Sequence, residues 1–250
     1  MSLEEKNSLT LLQHFLEFKK RIIFSLVFFV ISFVICYVFS DKIYQFLLEP
    51  FIEVSQGNEN RKLIYTSPTE AFTTYLKLSF TSALFFSFSI FIAELYLFLS
   101  PALYKKEKKN ILFIFFFAPI LFLCGATFSY YFILPVAFEF FLGFESQGLS
   151  ASSLPILLET KISEYLSFVT KLLFGFGIAF QLPILLLILI KLDFLSVTAL
   201  RQKRGYFFVG IFLIAAVLTP PDILSQVSLA IPMILLFEIS ILIGKSFQKK

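Results

Sequence analysis

Four long runs of apolar residues constrain the fold of this chain more than any other feature. They cover residues 22–39, 75–99, 111–134 and 168–190, and each contains few charges. A helix needs about 20 such residues to cross the roughly 30 Å hydrocarbon core of a bilayer. Charged residues make up only 15% of the 250 residues, too few to cover the surface of a soluble domain of this size. The sequence therefore predicts an all-α integral membrane protein.

Two shorter apolar runs follow, at residues 206–218 and 229–243, and the second contains Pro232 and Glu238. Both are shorter than the ~20 residues of an ordinary membrane span. The residues between them favour a turn and leave no room for a domain: Thr219, Pro220, Pro221 and Asp222. We therefore predict six transmembrane helices, the last two short, in a single membrane domain that covers residues 1–250.

The segments around these runs are more polar. Residues 1–21 carry apolar side chains at helical spacing, which predicts an amphipathic helix on the cytoplasmic membrane surface. No small-residue cleavage pattern ends the first run, so we expect a retained span and not a signal peptide. Residues 40–74 and 135–167 are predicted loops. Four loop residues are predicted to have structural or functional roles: Pro50, Pro220, Pro221 and Asp222.

The distribution of basic residues predicts the orientation. Fifteen of the 21 Lys and Arg residues lie in the amino-terminal tail, the hairpin at residues 100–110, the connection at residues 191–205 and the carboxyl-terminal tail. The other six lie in the opposite loops or at nearby helix ends: Lys42, Arg61, Lys62, Lys77, Lys161 and Lys171. Because cytoplasmic loops are rich in Lys and Arg, we expect both termini in the cytoplasm.

Signals for enzyme chemistry are weak or missing from the sequence. His14 stands alone, and Cys36 and Cys124 lie within apolar runs, so no metal or redox site is expected. Residues 244–246, Gly-Lys-Ser, match only the end of a phosphate-binding loop and follow an apolar run where that motif needs a strand. We expect no cofactor, no nucleic-acid partner and no catalytic activity.

Polar residues within or beside the spans are the candidates for function. A charge at the bilayer centre costs about 3 kcal/mol, so a charged residue there needs a partner or a function. The candidates within the spans are two acids, Glu94 and Glu238, and one polar amide, Gln181. Gln181 is either a hydrogen-bonding contact between helices or a functional side chain. Glu238 either pairs with a neighbouring helix or is protonated. Glu107, among four lysines of the hairpin, either balances charge or binds a cationic ligand.

Several stretches together resemble the TatC family, the multispanning component of the twin-arginine protein translocase. They are HFLEFKKR at 14–21, SPTEAF at 67–72, FLSPALY at 98–104 with Glu107, GFGIAFQLP at 175–183, KRGY at 203–206, and TPPD at 219–222 with Ser225 and Gln226. They occur in the family's order over nearly the whole chain. Each stretch is weak by itself, and the combination is specific.

The resemblance implies a function in protein export. Members of the family recognise signal peptides with consecutive arginines and, with single-span partners of the TatA and TatB type, move folded proteins across a membrane using the proton gradient. By the same resemblance, signal-peptide binding falls on Glu17, Lys19, Phe98 and Glu107. The resemblance also implies partner docking around Gln181 and the turn from Thr219 to Gln226. The shortness of the last two spans independently predicts that a partner helix docks at this edge, near Ala216, Val217, Thr219 and Gln226. A homo-oligomer within a receptor complex, surrounded by lipid, is also expected.

Two residues depart from the family pattern. Lys19 stands where the family usually has arginine, and a lysine lacks the planar fork of a guanidinium. Gln181 stands where the family often has glutamate, so a proton-linked role for that side chain does not carry over. The chain starts without a transit-peptide pattern, so we expect a bacterial inner membrane, with an organellar membrane as the alternative.

Two other classes of function also fit a multispanning chain. A secondary transporter or channel would have internal symmetry and a polar site near the middle of the membrane. The sequence contains no repeat, and its last two spans are shorter than the earlier ones. A structural scaffold for other membrane subunits is compatible with the composition.

Overall fold

The computed structural model describes residues 11–55, 63–99, 105–145, 158–219 and 223–248. Within these ranges the chain forms ten α-helices, a single π-helical segment and no extended strand. Five helical stretches are long and apolar enough to cross a membrane, and a sixth apolar helix is shorter. The prediction of an all-α membrane protein is confirmed.

The membrane-spanning stretches are formed by eight helices and the π-helical segment. They are α1 (Leu11–Val38), α3 (Pro68–Leu99), α4 (Lys105–Phe128) continued through the π-helical segment Ser129–Ile133 into α5 (Leu134–Leu142), α6 (Ile162–Ala179) followed by α7 (Leu182–Lys191), α9 (Arg204–Leu218) and α10 (Ile223–Gln248). Two further helices, α2 (Ser40–Val54) and α8 (Val197–Gln202), lie in connections.

The structure differs from the sequence predictions at several helix boundaries. Residues 11–21 continue directly into the first span and form no separate surface helix. The predicted loop at 40–74 contains α2, with Pro50 buried inside the helix. The third apolar stretch extends past Pro135, which lies in the first turn of α5 where its missing N–H costs little. The last helix extends beyond residues 229–243 at both ends, and Pro232 and Glu238 lie inside it without interrupting it.

Helix α1 packs along α3 through small residues. The buried residues of α1 are Ser25, Ser32 and Cys36, and α3 buries Ala83 and Ser87. Small side chains let two helices approach closely in lipid, where van der Waals contact stabilises their association. The opposite side of α1 is apolar and exposed, as expected for a face turned to lipid.

The centre of the molecule lies where α4 crosses α6. A Cβ atom on Gly125 would lie 2.5 Å from the carbonyl oxygen of Phe176, and one on Gly177 would lie 2.6 Å from the ring of Phe122. Phe122 in turn stacks on Phe88 of α3, with ring centroids 4.0 Å apart. The two glycines therefore allow three spans to pack around one buried aromatic ring.

Two tyrosines attach α2 to the bundle. The hydroxyl of Tyr165 donates a hydrogen bond to the carbonyl of Leu47, and that of Tyr130 donates to the carbonyl of Phe46, both at 2.7 Å. Nearby, Glu70 accepts a hydrogen bond of 2.6 Å from the hydroxyl of Ser163. These contacts stabilise the end of the bundle opposite to the one where α3 ends.

Candidate functional site

The start of α1 and the end of α3 meet at one end of the bundle, which the charge distribution predicts to be cytoplasmic. Here the ring of Phe98 contacts His14, with centroids 5.9 Å apart, and Phe18, at 5.2 Å. Phe98 is half-buried. The three rings form an aromatic patch at this end of the bundle.

A group of three charged residues, the Glu17–Arg21–Glu94 cluster, lies one helical turn from this patch. The Arg21 guanidinium donates to Oε1 of Glu17 through Nη2 at 2.6 Å and through Nε at 3.2 Å. Its Nη1 donates to Oε2 of Glu94 at 3.0 Å. One guanidinium therefore connects two carboxylates that belong to different helices.

The sequence positions explain why these groups meet. Glu17 and Arg21 are four residues apart, a spacing that brings side chains together on one helix face. Glu94 and Phe98 have the same spacing on α3, so the acid and the ring share a face. The side chains are partly exposed, at 22% for Arg21, 26% for Glu17 and 17% for Glu94. Each ion pair then contributes on the order of 1 kcal/mol or less.

The structure brings together two of the four residues predicted to bind the signal peptide. Glu17 and Phe98 lie at the same end of the α1–α3 pair. Lys19 is exposed on α1, and the guanidinium beside Glu17 comes from Arg21. Glu107 falls in the first turn of α4, and its side chain lies outside the described part of the structure. Its role stays a prediction.

The residues predicted to dock a partner fall into two separate places. Ala216 and Val217 are exposed at the end of α9, and Val217 is 84% exposed. Thr219 is buried and donates a hydrogen bond of 2.8 Å to the Ala215 carbonyl, while Gln226 donates one of 3.2 Å to Phe212. Gln181 lies elsewhere, between α6 and α7.

A cleft of about 380 Å³ lies beside the end of α9. Val217 and Thr219 line one side, and Ser167, Phe168 and Lys171 of α6 are among the residues on the other. The cleft places an exposed apolar side chain next to groups that form hydrogen bonds. Pro220, Pro221 and Asp222, which were predicted to shape the adjoining turn, lie outside the described residues.

The polar residues inside the later spans have partners. Gln181 donates a hydrogen bond of 3.0 Å to the Ala118 carbonyl of α4. Glu238 of α10 accepts one of 2.8 Å from Arg204 of α9. Of the two interpretations of Glu238, pairing with a neighbouring helix fits the structure. Gln181 acts here as a contact between helices.

Sequence reasoning missed two residues of the candidate site. It noted Glu94 as a charge within a span and Arg21 as part of a motif, but did not connect them. The four-residue spacing of Glu17 and Arg21 was a readable signal. The contact between Arg21 and Glu94 joins residues 73 positions apart, and no local pattern indicates it.

Metal ligands and internal cavities were also considered as sites among the described residues. No group of three His, Cys, Asp or Glu side chains in the described ranges is placed to bind a metal ion. A largely apolar cavity of about 560 Å³ lies among α2, α3, α4 and α6, with Lys42, Thr81 and Tyr130 in its lining. None of the predicted site residues lines this cavity.

Several known proteins are similar to this chain in sequence and in structure. The family model described as Sec-independent protein translocase protein (TatC) matches residues 13–232. The Sec-independent protein translocase protein TatC of Rickettsia prowazekii is 51% identical over 231 residues, covering 92% of this chain and 90% of the relative. The TatC protein of Magnetococcus marinus is 41% identical over 250 residues, covering 100% and 89%. A crystal structure of the twin arginine translocase receptor TatC in DDM matches with a TM-score of 0.76 at 35% identity, covering 92% of this chain and 99% of that one.

Proposed function

This chain belongs to the TatC family of Sec-independent protein translocase proteins, and on that premise we propose that it binds twin-arginine signal peptides. With single-span partners of the TatA and TatB type, it moves folded proteins across a membrane using the proton gradient. The observation that carries the proposal is that two carboxylates lie close to an aromatic patch at the predicted cytoplasmic end. Glu17 and Glu94 lie there beside Phe98.

Electrostatics explain why carboxylates matter at this end. Fifteen of the 21 basic residues lie on the predicted cytoplasmic side, which as a whole repels a peptide with two adjacent arginines. Such a peptide binds only where exposed carboxylates provide local negative charge. A carboxylate accepts two parallel hydrogen bonds from a guanidinium, a geometry that lysine does not offer. Glu17 and Glu107 are the two acids that follow the family pattern.

Apolar contact supplies the remaining affinity. One ion pair at a wet surface contributes only about 1 kcal/mol, so two such pairs do not hold a peptide by themselves. Phe98 and Phe18 present rings next to the acids, at the level where an apolar segment of the peptide would enter the membrane. We therefore assign the consecutive arginines to the carboxylates and the apolar segment to the aromatic patch.

Partner docking is proposed for the edge formed by α9 and the start of α10. Helix α9 has 15 residues, short for a span, so neighbouring lipid must thin or another helix must cover its end. Val217 is exposed there beside the cleft that contains Thr219. A single-span helix seated on Val217 would bury apolar surface and shield these polar groups. Gln181 would then act from inside the bundle by holding α7 against α4.

The relatives support a proposal for the cellular setting. The two compared TatC proteins come from bacteria, so we propose the bacterial inner membrane as the location. We further propose that several copies assemble into a receptor complex with the single-span partners. Lipid would contact the exposed apolar face of α1.

Export of a folded reporter tests the proposed function. The gene is expressed in a cell that lacks its own copy, and a fluorescent protein behind a twin-arginine signal is followed to the far side of the membrane. We expect export to be restored for this reporter and to fail when the two arginines are replaced by lysines. Export of both reporters, or of neither when the protein is present at normal levels with its partners, would contradict the proposal.

A further inference from the structure

The Glu17–Arg21–Glu94 cluster has an arrangement that the family resemblance does not assign. Its arginine comes from the chain itself and already occupies the carboxylates. Resting on the proposed function, we propose that Glu94 is a ligand for a signal-peptide arginine, and that this arginine displaces Arg21 from Glu94. Arg21 is then an internal competitor that the peptide must replace.

The charge balance supports a role for Glu94. Glu17 and Arg21 together carry no net charge, so a site that contained only these two would attract a cationic peptide weakly. Glu94 gives the cluster its net negative charge. It is also the least exposed of the three side chains, at 17%, where an ion pair is screened less by salt than at an open surface.

The hydrogen bonds leave capacity for a second guanidinium. A carboxylate has about four acceptor positions on its two oxygens. Arg21 uses Oε1 of Glu17 and Oε2 of Glu94, and the other oxygen of each acid accepts no hydrogen bond from the described residues. An arriving arginine can bind these free oxygens first and then replace Arg21, so neither acid passes through an unpaired state.

The position of Glu94 also fits an extended peptide. Glu94 lies one helical turn before Phe98, so an arginine bound at Glu94 would place the following apolar residues near the aromatic patch. Consecutive side chains of an extended peptide point to opposite sides, so two adjacent arginines reach two different acidic groups. One would bind at Glu94 and Glu17, and the other at the proposed ligand Glu107.

Peptide binding to single variants tests this assignment. The full chain in lipid nanodiscs is titrated with a labelled twin-arginine signal peptide at low ionic strength. We expect Glu94→Gln to weaken binding by about tenfold, the loss of one charge-assisted hydrogen-bonded pair. We expect Arg21→Gln to strengthen binding by several-fold, because the competitor is removed. Glu139→Gln, which neutralises an exposed acid on α5, is the matched control and should leave binding unchanged.

The opposite signs separate a ligand from a structural contact. If Arg21 and Glu94 only hold α1 against α3, both variants disturb the same contact and both weaken binding, which would overturn the inference. Binding by Glu94→Gln within about twofold of the unmodified chain, while Glu17→Gln weakens binding, would also overturn it and leave the proposed function intact. Failure of the unmodified chain to bind the peptide would instead count against the proposed function itself. Thermal unfolding of each variant identifies one that has lost its fold. The Glu94→Asp variant, which retains the charge, should bind the peptide more tightly than Glu94→Gln does.

Discussion

The carboxylate of Glu238 lies 2.8 Å from the guanidinium of Arg204 on the neighbouring helix α9. Their side chains are 34% and 42% exposed, and Arg204 is the first residue of α9, so the pair is partly exposed at the start of that helix. Interactions between polar groups of membrane helices average about 0.6 kcal/mol, and exposed ion pairs contribute up to about 1 kcal/mol. At the scale of single residues, the pair is thus a modest link between α9 and α10.

A double-mutant cycle measures that link. We expect Glu238→Gln and Arg204→Gln each to lower the free energy of unfolding in detergent, and the double variant to lose less than their sum. The coupling energy should be about 0.5–1 kcal/mol. Strict additivity of the two losses would show that the contact contributes nothing to stability.

At the scale of helices, the crossing of α4 and α6 depends on Gly125. An alanine there would place its Cβ atom 2.5 Å from the Phe176 carbonyl oxygen and 2.8 Å from the Phe180 ring. Because a backbone oxygen cannot move aside easily, we expect Gly125→Ala to cost about 1–3 kcal/mol. Thermal unfolding in detergent is the measurement.

The chain provides a matched control for this substitution. A Cβ atom on Gly210 in α9 would have no neighbour within 4 Å. Gly210→Ala should therefore leave the melting temperature unchanged or raise it slightly, since alanine is more favourable than glycine inside a helix by about 1 kcal/mol. Equal destabilisation by the two variants would contradict the close approach of α4 and α6.

The exposed end of α9 makes a separate prediction about partners. A photocrosslinking residue at Val217 should trap a single-span partner, because this side chain is 84% exposed beside a cleft. The same residue at Val30, which is exposed on α1, serves as the control and should give a weaker product or none. Strong trapping from Val30 and none from Val217 would move the docking surface to α1.

The sequence predicts the helices better than their contacts. The long apolar runs identified the spans because lipid requires continuous apolar helices. It did not predict α2, whose Pro50 argued for a loop, or the continuation of the third stretch through Ser129–Ile133. The sequence predicted some residues of the candidate site but not the contact between its two helices. Motifs identified Glu17 and Phe98, whereas the bond from Arg21 to Glu94 depends on how α1 packs on α3.

At the scale of the whole molecule, the charge distribution predicts which loops face the cytoplasm. Single cysteines are introduced at Asn58, Gln147 or Asn110 in a chain whose Cys36 and Cys124 have been replaced by alanine. Asn58 and Gln147 lie outside the described residues, in predicted extracytoplasmic loops. We expect an impermeant thiol reagent outside intact cells to label the first two cysteines and not the third. Labelling of all three from the same side would contradict six spans with both termini inside.

The most direct test of the central claim is the affinity of the chain for a twin-arginine peptide compared with a twin-lysine peptide. We expect the arginine peptide to bind about tenfold more tightly at low ionic strength, because carboxylates pair with guanidinium groups in two parallel hydrogen bonds. The double variant Glu17→Gln with Glu107→Gln should lose most of this preference and retain only the part that the remaining carboxylate of Glu94 supplies. Equal affinity for the two peptides, or undiminished discrimination by the double variant, would contradict recognition of the signal by these carboxylates.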